Sequence, residues 1–284
     1  MADAKFRIGN LERLLTLPVP SEKLEATPAR AGAVLTALNG RRTVQTFGYA
    51  RSWTFVINGV TEDEVAEIES LYQNNIQPPF YMFDPSRRNL LPREIAAPSS
   101  TMPGIGLTAF GATGNMQTQW TDPVNHPVPQ ATTSVYVNNG SGGNYIRRSD
   151  PSHLGEPIVP EESYTFTAWI KHVNTISATA YIQYRDRDGT DIGGSTGEAA
   201  LTPEVGWRRA TLTTTAPAGA VYVETGIYCD ASAEFNVGPS QLEIGSVATN
   251  WVPGYGTPAV AIESFDVGYP RFGLFDVELT IVET

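Results

Sequence analysis

The sequence predicts a mainly β protein in which one β domain with a packed helix is split by an inserted β domain. Three observations predict it. Strand-like alternation fills the chain from about residue 115 to 252, and a single amphipathic helical pattern stands alone at 61–75. A last strand pair then follows "QLEIGSVATNW" (241–251), which already reads as the close of a domain. The 26 Gly and 21 Pro, with only 17% charged residues, suit short strands and frequent turns and exclude a helical bundle.

The elements follow in order. "VLTALNGRRTVQTFGYARSWTFVING" holds an Asn39-Gly40 pair, a hairpin turn signal, followed by the strands "RTVQTF" and "RSWTFVI". In the second strand Trp53, Phe55 and Ile57 make one apolar face. The helix opens with Thr61 and has Glu64 three positions later, a capping box. Glu62, Asp63 and Glu64 suit the positive end of its dipole. Val65, Ile68, Leu71 and Tyr72 form its apolar stripe. "PPFYMFDPSRRNLL" reads as a strand, a turn and an exit, and residues 93–115, rich in Pro, Ser, Gly and Ala, read as a linker.

Beyond the linker come "ATTSVYV" and "SYTFTAWIKHV", the latter with Tyr164, Phe166, Ala168 and Ile170 on one side and Thr165, Thr167 and Trp169 on the other. "ATAYIQYRDRDGTDI" runs into an Asp188-Gly189 turn, and "WRRATLTTTA" is a further strand. "AVYVETGIYC" sets Val221, Val223, Thr225, Ile227 and Cys229 opposite Tyr222, Glu224 and Tyr228, and "EFNVGPSQLEIG" follows. Strands this short and this frequent make a sandwich or jelly roll. The closing "LFDVELTIV" alternates Phe275, Val277, Leu279 and Ile281 against Asp276, Glu278 and Thr280. A segment under about thirty residues buries no core of its own, so it must pair elsewhere. The economical reading is one domain from 1–97 and 254–284, with 98–253 inserted.

The formal charge of −11 argues against nucleic acid, whose binding rests on Lys and Arg at phosphates. One cysteine, Cys229, allows no internal disulfide and reads as a small core residue. With three scattered histidines it makes no zinc site. The N-terminal "MADAKFRIGNLERLL" carries charges throughout, so no signal peptide is expected. No apolar run approaches the roughly eighteen residues of a membrane span, and no membrane contact is expected. Neither a G-x-S-x-G elbow nor a phosphate-binding G-K-[ST] loop is present, and catalysis is not expected.

Alternation turns Trp169, Tyr222 and Tyr228 outward. Glu224 is on the same side as Tyr222 and Tyr228. Tyr181, Gln183 and Arg185 share one side of their own strand, and they join the set if that side, which the alternation leaves open, is the outward one. Aromatic faces beside amide, carboxylate and guanidinium groups suit stacking on, and hydrogen bonding to, a glycan. The competing reading is that this face packs on another strand, domain or subunit. "RDRDGTDIGG" clusters Asp186, Asp188 and Asp191, the ligand type calcium takes. The run lacks the later bidentate Glu of an EF-hand, and an Asp188-Gly189 turn explains it without metal. No cofactor is expected, with a structural calcium as the alternative.

Two resemblances arise from these residues. "RSWTFVINGVTEDEVAEIESLYQNNIQPPFYMFDPSRRNLL", with the closing "FGLFDVELTIVET", resembles the minor tail and distal tail proteins of long-tailed (siphovirus-type) bacteriophages. That resemblance implies a split tail-tube-like β-sandwich with one packed helix. It also implies assembly as a homo-oligomeric ring, hexameric or else three-fold, in a virion tail baseplate after synthesis in the host cytoplasm. The partners it implies are the tail tube, the tape measure and the tail-tip hub. "YTFTAWIK", "YRDRDGTDIG", "GWRRATLTTTAPAGAVYVETGI" and "QLEIGSVATNWVPG" resemble the jelly-roll carbohydrate-binding modules embedded in phage tail proteins and glycosidases. The expected protein is a structural tail-tip component with outward jelly rolls that contact host cell-wall carbohydrate. The alternative is a carbohydrate-binding protein or the accessory module of a glycosidase.

Overall fold

The computed structural model describes residues 5–18, 20–21, 23–36, 41–97, 108–110, 116–120, 128, 133–138, 144–148, 155–174, 176–196, 206–230 and 232–284. The Asn39-Gly40 turn lies outside them. The chain is mainly β and divides into two compact units, one of residues 3–85 with 258–284, the other of 86–257.

In the first unit the strands are β1 (Arg7–Asn10), β2 (Arg13–Thr16), β3 (Lys23–Thr36), β4 (Arg42–Val60), β5 (Phe80–Phe83), β17 (Ala259–Arg271) and β18 (Leu274–Glu283). They form a seven-stranded sheet in the order β2-β1-β5-β17-β18-β4-β3. The last two strands of the chain therefore lie in its middle. Val277, Leu279 and Ile281 of β18 stand opposite Ile57, Phe55 and Trp53 of β4, and all six are at most 1% exposed. The two strands read separately in the sequence, "RTVQTF" and "RSWTFVI", are one strand, β4. In place of two stacked sheets, this unit has one sheet that curls over. The rings of Phe6, beside β1, and Phe55, four strands away, meet edge-on at 5.2 Å. In a flat sheet they would stand about 19 Å apart.

Helix α1 spans Glu62–Tyr72, three residues shorter at its end than the sequence pattern suggests. Its capping box forms: the Thr61 hydroxyl accepts from the Glu64 N–H, and the Thr61 N–H donates to the Glu64 carboxylate at 2.9 Å. Beyond the helix Asn74 takes a left-handed φ of 56°, which turns the chain away before the pattern ends. Ile68 and Leu71 enter the core made by Trp53, Phe55 and Leu279. Tyr72 stays 43% exposed against the ring of Phe265.

The second unit holds α2 (Arg93–Ala96) and strands β6 (Thr108–Phe110), β7 (Met116–Trp120), β8 (Thr133–Asn138), β9 (Asn144–Arg148), β10 (Glu156–Pro157), β11 (Ser163–His172), β12 (Ala178–Arg185), β13 (Asp191–Thr196), β14 (Trp207–Thr215), β15 (Tyr222–Cys229) and β16 (Glu234–Ile244). Two antiparallel sheets, β13-β12-β15-β9-β6 with β10 beside β15, and β14-β11-β16-β8-β7, face each other. Their inner positions, Ile182, Tyr184, Val223 and Ile227 on one side and Tyr164, Phe166, Ile170 and Phe235 on the other, form one buried cluster. This is the jelly-roll sandwich that the alternation predicts. Cys229 is buried within it and forms no disulfide.

The incoming boundary differs from the sequence reading. Residues 86–97 belong to the second unit and not to the split one, because Leu90, Leu91, Ile95 and Ala96 are part of its core. The Leu90 N–H donates to Leu242 O at 2.8 Å, beyond the point where β8 stops pairing with β16. Asn89, fully buried, ties the segment down. Its amide donates to Ser240 O and Val252 O, and its carbonyl oxygen accepts from the Leu91 and Leu242 N–H groups. The outgoing "VPGYGTP" packs closely on this segment. A Cβ on Gly254 would meet Leu91 O at 2.1 Å, so only glycine fits there.

Candidate functional site

The outer face of the six-stranded sheet is built by two central strands in register. On β12 the inner positions are Ala178, Ala180, Ile182 and Tyr184, so the period of two turns Thr179, Tyr181, Gln183 and Arg185 outward. On β15 the inner Val223, Thr225, Ile227 and Cys229 turn Tyr222, Glu224, Gly226 and Tyr228 outward. The pairs on this face are Arg185 with Tyr222, Gln183 with Glu224, Tyr181 with Gly226 and Thr179 with Tyr228. The register continues into β9, where Tyr145 stands opposite Tyr228 and Arg147 opposite Gly226. Six of the seven glycan-binding candidates, Tyr181, Gln183, Arg185, Tyr222, Glu224 and Tyr228, thus share one face.

A polar lattice fixes the middle of that face. Arg185 lies 2.7 Å from a Glu224 carboxylate oxygen and 3.1 Å from one of Asp191. Glu224 is 2% exposed, and a carboxylate at that depth needs the guanidinium to offset its lost hydration. The Gln183 amide donates to Tyr184 O and to Gly193 O at 2.7 Å, and its oxygen accepts from the Tyr181 hydroxyl. Gly194 makes room for it: a Cβ there would meet the Gln183 oxygen at 2.6 Å. Tyr181 and Glu224 are buried and form a floor, while Gln183, Arg185, Tyr222 and Tyr228 are half-buried and reach the surface. Tyr222 and Tyr228 lie six residues apart on one strand, about 20 Å.

Trp169 is not brought to this face. It lies on β11 of the other sheet, opposite Arg209. The outer side of that sheet is covered by the chain after β16. Thr165 and Thr167 are buried there, Arg209 donates to Thr167 Oγ1 and Thr249 O, and Trp251 donates to Ser240 O at 3.0 Å. Thr249 and Val252 are bound by Glu243 and Gln241 of β16. "QLEIGSVATNW" therefore folds back over its own sheet.

Asp186 builds the turn after β12. Its carboxylate accepts from the N–H groups of Asp188 and Thr190 at 3.0 and 2.8 Å, and Gly189 takes a φ of 82°. Asp191 is held by Arg185 and Asp188 is exposed. Among the described residues, no group of three or more His, Cys, Asp or Glu gathers as a metal cluster.

Sequence reasoning missed Gly194, Thr179 and the clamp residue Asn89. The Gln183–Gly194 pairing crosses a hairpin whose register depends on the bulge between Tyr184 and Arg185, and that bulge left no mark in the sequence.

Among solved structures, the chain is similar to the CBM22-1 xylan-binding domain from Paenibacillus barcinonensis Xyn10C, at 16% identity over 57% of this chain and 97% of that one, with a TM-score of 0.38. It is also similar to the CBM22-1–GH10 modules of Clostridium thermocellum xylanase 10B complexed with xylohexaose, at 14% identity and a TM-score of 0.42. A third similar structure is the enzymatically active domain of bacteriophage CBA120 tailspike protein 4, at 14% identity and a TM-score of 0.40. The last two matches cover 57% and 53% of this chain but only 30% and 22% of the other chains. No family model matches the chain, and no curated protein matches its sequence. Among the described residues no helix is long and apolar enough to cross a membrane.

Proposed function

We propose that the second unit binds carbohydrate, without chemical turnover, on the outer face of β12 and β15. The observation that carries this is the joint register of Tyr181, Gln183 and Arg185 with Gly226, Glu224 and Tyr222, which sets aromatic and polar groups side by side on one surface. Tyr222 and Tyr228 are the stacking platforms, and Gln183 and Arg185 supply hydrogen bonds. Because Arg185 and Gln183 are already held by Glu224, Asp191, Tyr181 and Gly193, they lose little freedom when a ligand arrives. A glycan array tests the reading. Hits with the 86–257 fragment that vanish in the double variant Tyr222→Ala/Tyr228→Ala support it, and an array without hits overturns it.

A second reading sets this module in a phage tail tip, as a distal or minor tail protein whose first unit forms a ring on the tail and whose second unit meets host cell-wall glycans. It is favoured by the topology of the first unit, whose chain-terminal strands β17 and β18 lie mid-sheet and so carry the second unit as an insertion. Electron microscopy of the assembled protein tests it: rings of six-fold or three-fold symmetry support it, and a monomeric particle at all concentrations removes it.

A further inference from the structure

The β17–β18 hairpin of the first unit carries two complementary features at its ends. At the tip, Phe272 is fully exposed and Tyr269 is 78% exposed, the most exposed of the large hydrophobic residues described. The Tyr269 ring stands edge-on to Phe275 at 5.3 Å, which holds the tip as a defined aromatic knob. At the root, between the C-terminal end of α1 and β5, a cavity of about 430 Å³ is lined by Leu71, Tyr72, Pro78, Phe80, Ala261 and Ile262. From Ile262 to the tip is nine residues along one strand, about 30 Å, so a chain's knob does not reach its own cavity.

We propose that the Tyr269–Phe272 tip of one copy seats in the Leu71–Ile262 cavity of a second copy. Charge favours this occupant. The helix beside the cavity, EDEVAEIESLY, has five acidic residues and no basic one, and its C-terminal end carries the negative pole of the dipole with no basic residue in its last turn. The tip "GYPRFG" has Arg271 as its one residue charged near neutral pH, a cation on a chain of net charge −11 whose copies otherwise repel. Area sets the strength. Two aromatic side chains bury about 300–500 Å². That falls short of the roughly 800 Å² per partner of a stable interface, so one contact is weak. The contact is head-to-tail; such contacts close into a ring where the rotation permits and otherwise run on as an open filament, and closure is the outcome that the ring reading needs. The proposal deepens the ring reading of the first unit and is independent of the carbohydrate face.

Sedimentation velocity on the full chain, from micromolar to millimolar, tests it. The unaltered chain is expected to gain mass with concentration. Phe272→Ser, which removes the knob, and Ala261→Arg, which fills the cavity, are each expected to stay monomeric at unchanged melting temperature. The loss in association is ~30-fold or more, the scale of an aromatic hot spot. Mixed together, these two variants retain one knob and one cavity and form a dimer that grows no further. If Ala261→Arg melts low, oxidation of Phe272→Cys mixed with Ala261→Cys replaces it, with a cross-linked dimer expected. An unaltered chain that stays monomeric, including one that binds lipid vesicles instead, overturns the proposal. A mixture that does not pair also overturns it. An oligomer unaffected by Phe272→Ser overturns the knob and leaves the ring reading standing.

Discussion

Replacing Asn89 by alanine removes four hydrogen bonds from a fully buried site. Ser240 O keeps the Trp251 indole as a donor, so the groups left without this partner are the Leu91 and Leu242 N–H and the Val252 carbonyl. At about 1–3 kcal/mol for each unsatisfied group, with the lower end apt where a water fills the vacated space, the loss is about 3–4 kcal/mol. For a unit of about 170 residues this lowers Tm by roughly 6–16 °C. Asn89→Asp is expected to lower it further, because it sets an acceptor and a charge against the Ser240 and Val252 carbonyls. The assay is calorimetry of the 86–257 fragment. A 98–253 fragment, cut at the boundary the sequence suggests, lacks the clamp and is expected to melt lower still. An Asn89→Ala variant within about 2 °C of the parent, or an Asp variant above the Ala one, refutes the clamp.

The other predictions concern both units. Trp53→Ala empties a site with no exposure in the core of the first unit and is expected to cost about 3–5 kcal/mol, read as a lowered first-unit transition in urea. Truncation before residue 258 removes β17 and β18 from between β5 and β4; proteolysis is expected to digest the first unit and spare 86–257. Burial pushes the Glu156 carboxyl up from 4.5 to about 8, although the residue as a whole is part-buried. Its proton is held more tightly in the folded state, so the stability it contributes is full below pH about 4.5 and is lost as pH rises through about 8. Discounted for that partial exposure, the fall is about 2–3 kcal/mol across the window. Melts of Glu156→Gln are expected to lack this slope, and a parent fragment with equal Tm at both ends of the window contradicts it.

Much of the fold was legible because strand alternation reports directly which side of a strand is apolar. It gave Trp53, Phe55 and Ile57 as core, and it placed Tyr181, Gln183 and Arg185 on one side and Tyr222, Glu224 and Tyr228 on another, which the register of β12 and β15 then joins. The same rule turned Trp169 outward, as β11 has it, but on the other sheet, because alternation says neither which sheet a strand joins nor what lies over its face. The covering segment, 245–252, comes eighty residues later. The incoming boundary failed for a similar reason. "REIAAPSS" has the composition of a linker, but Leu90 pairs with Leu242 and Ile95 enters the core, contacts that span some 150 residues. Asn89 carried no local signal, because its partners are all distant backbone groups except Leu91.

The carbohydrate face is the central claim, and isothermal titration of the best array glycan into the full chain tests it most directly. The parent, Tyr222→Ala, Tyr228→Ala and Trp169→Ala are titrated in parallel. Each tyrosine variant is expected to weaken binding by ~5- to 150-fold, the worth of one stacked aromatic at about 1–3 kcal/mol. Trp169→Ala, on the opposite sheet, is expected to bind like the parent. Binding that survives both tyrosine changes and is lost with Trp169 contradicts the assignment of the site to β12 and β15.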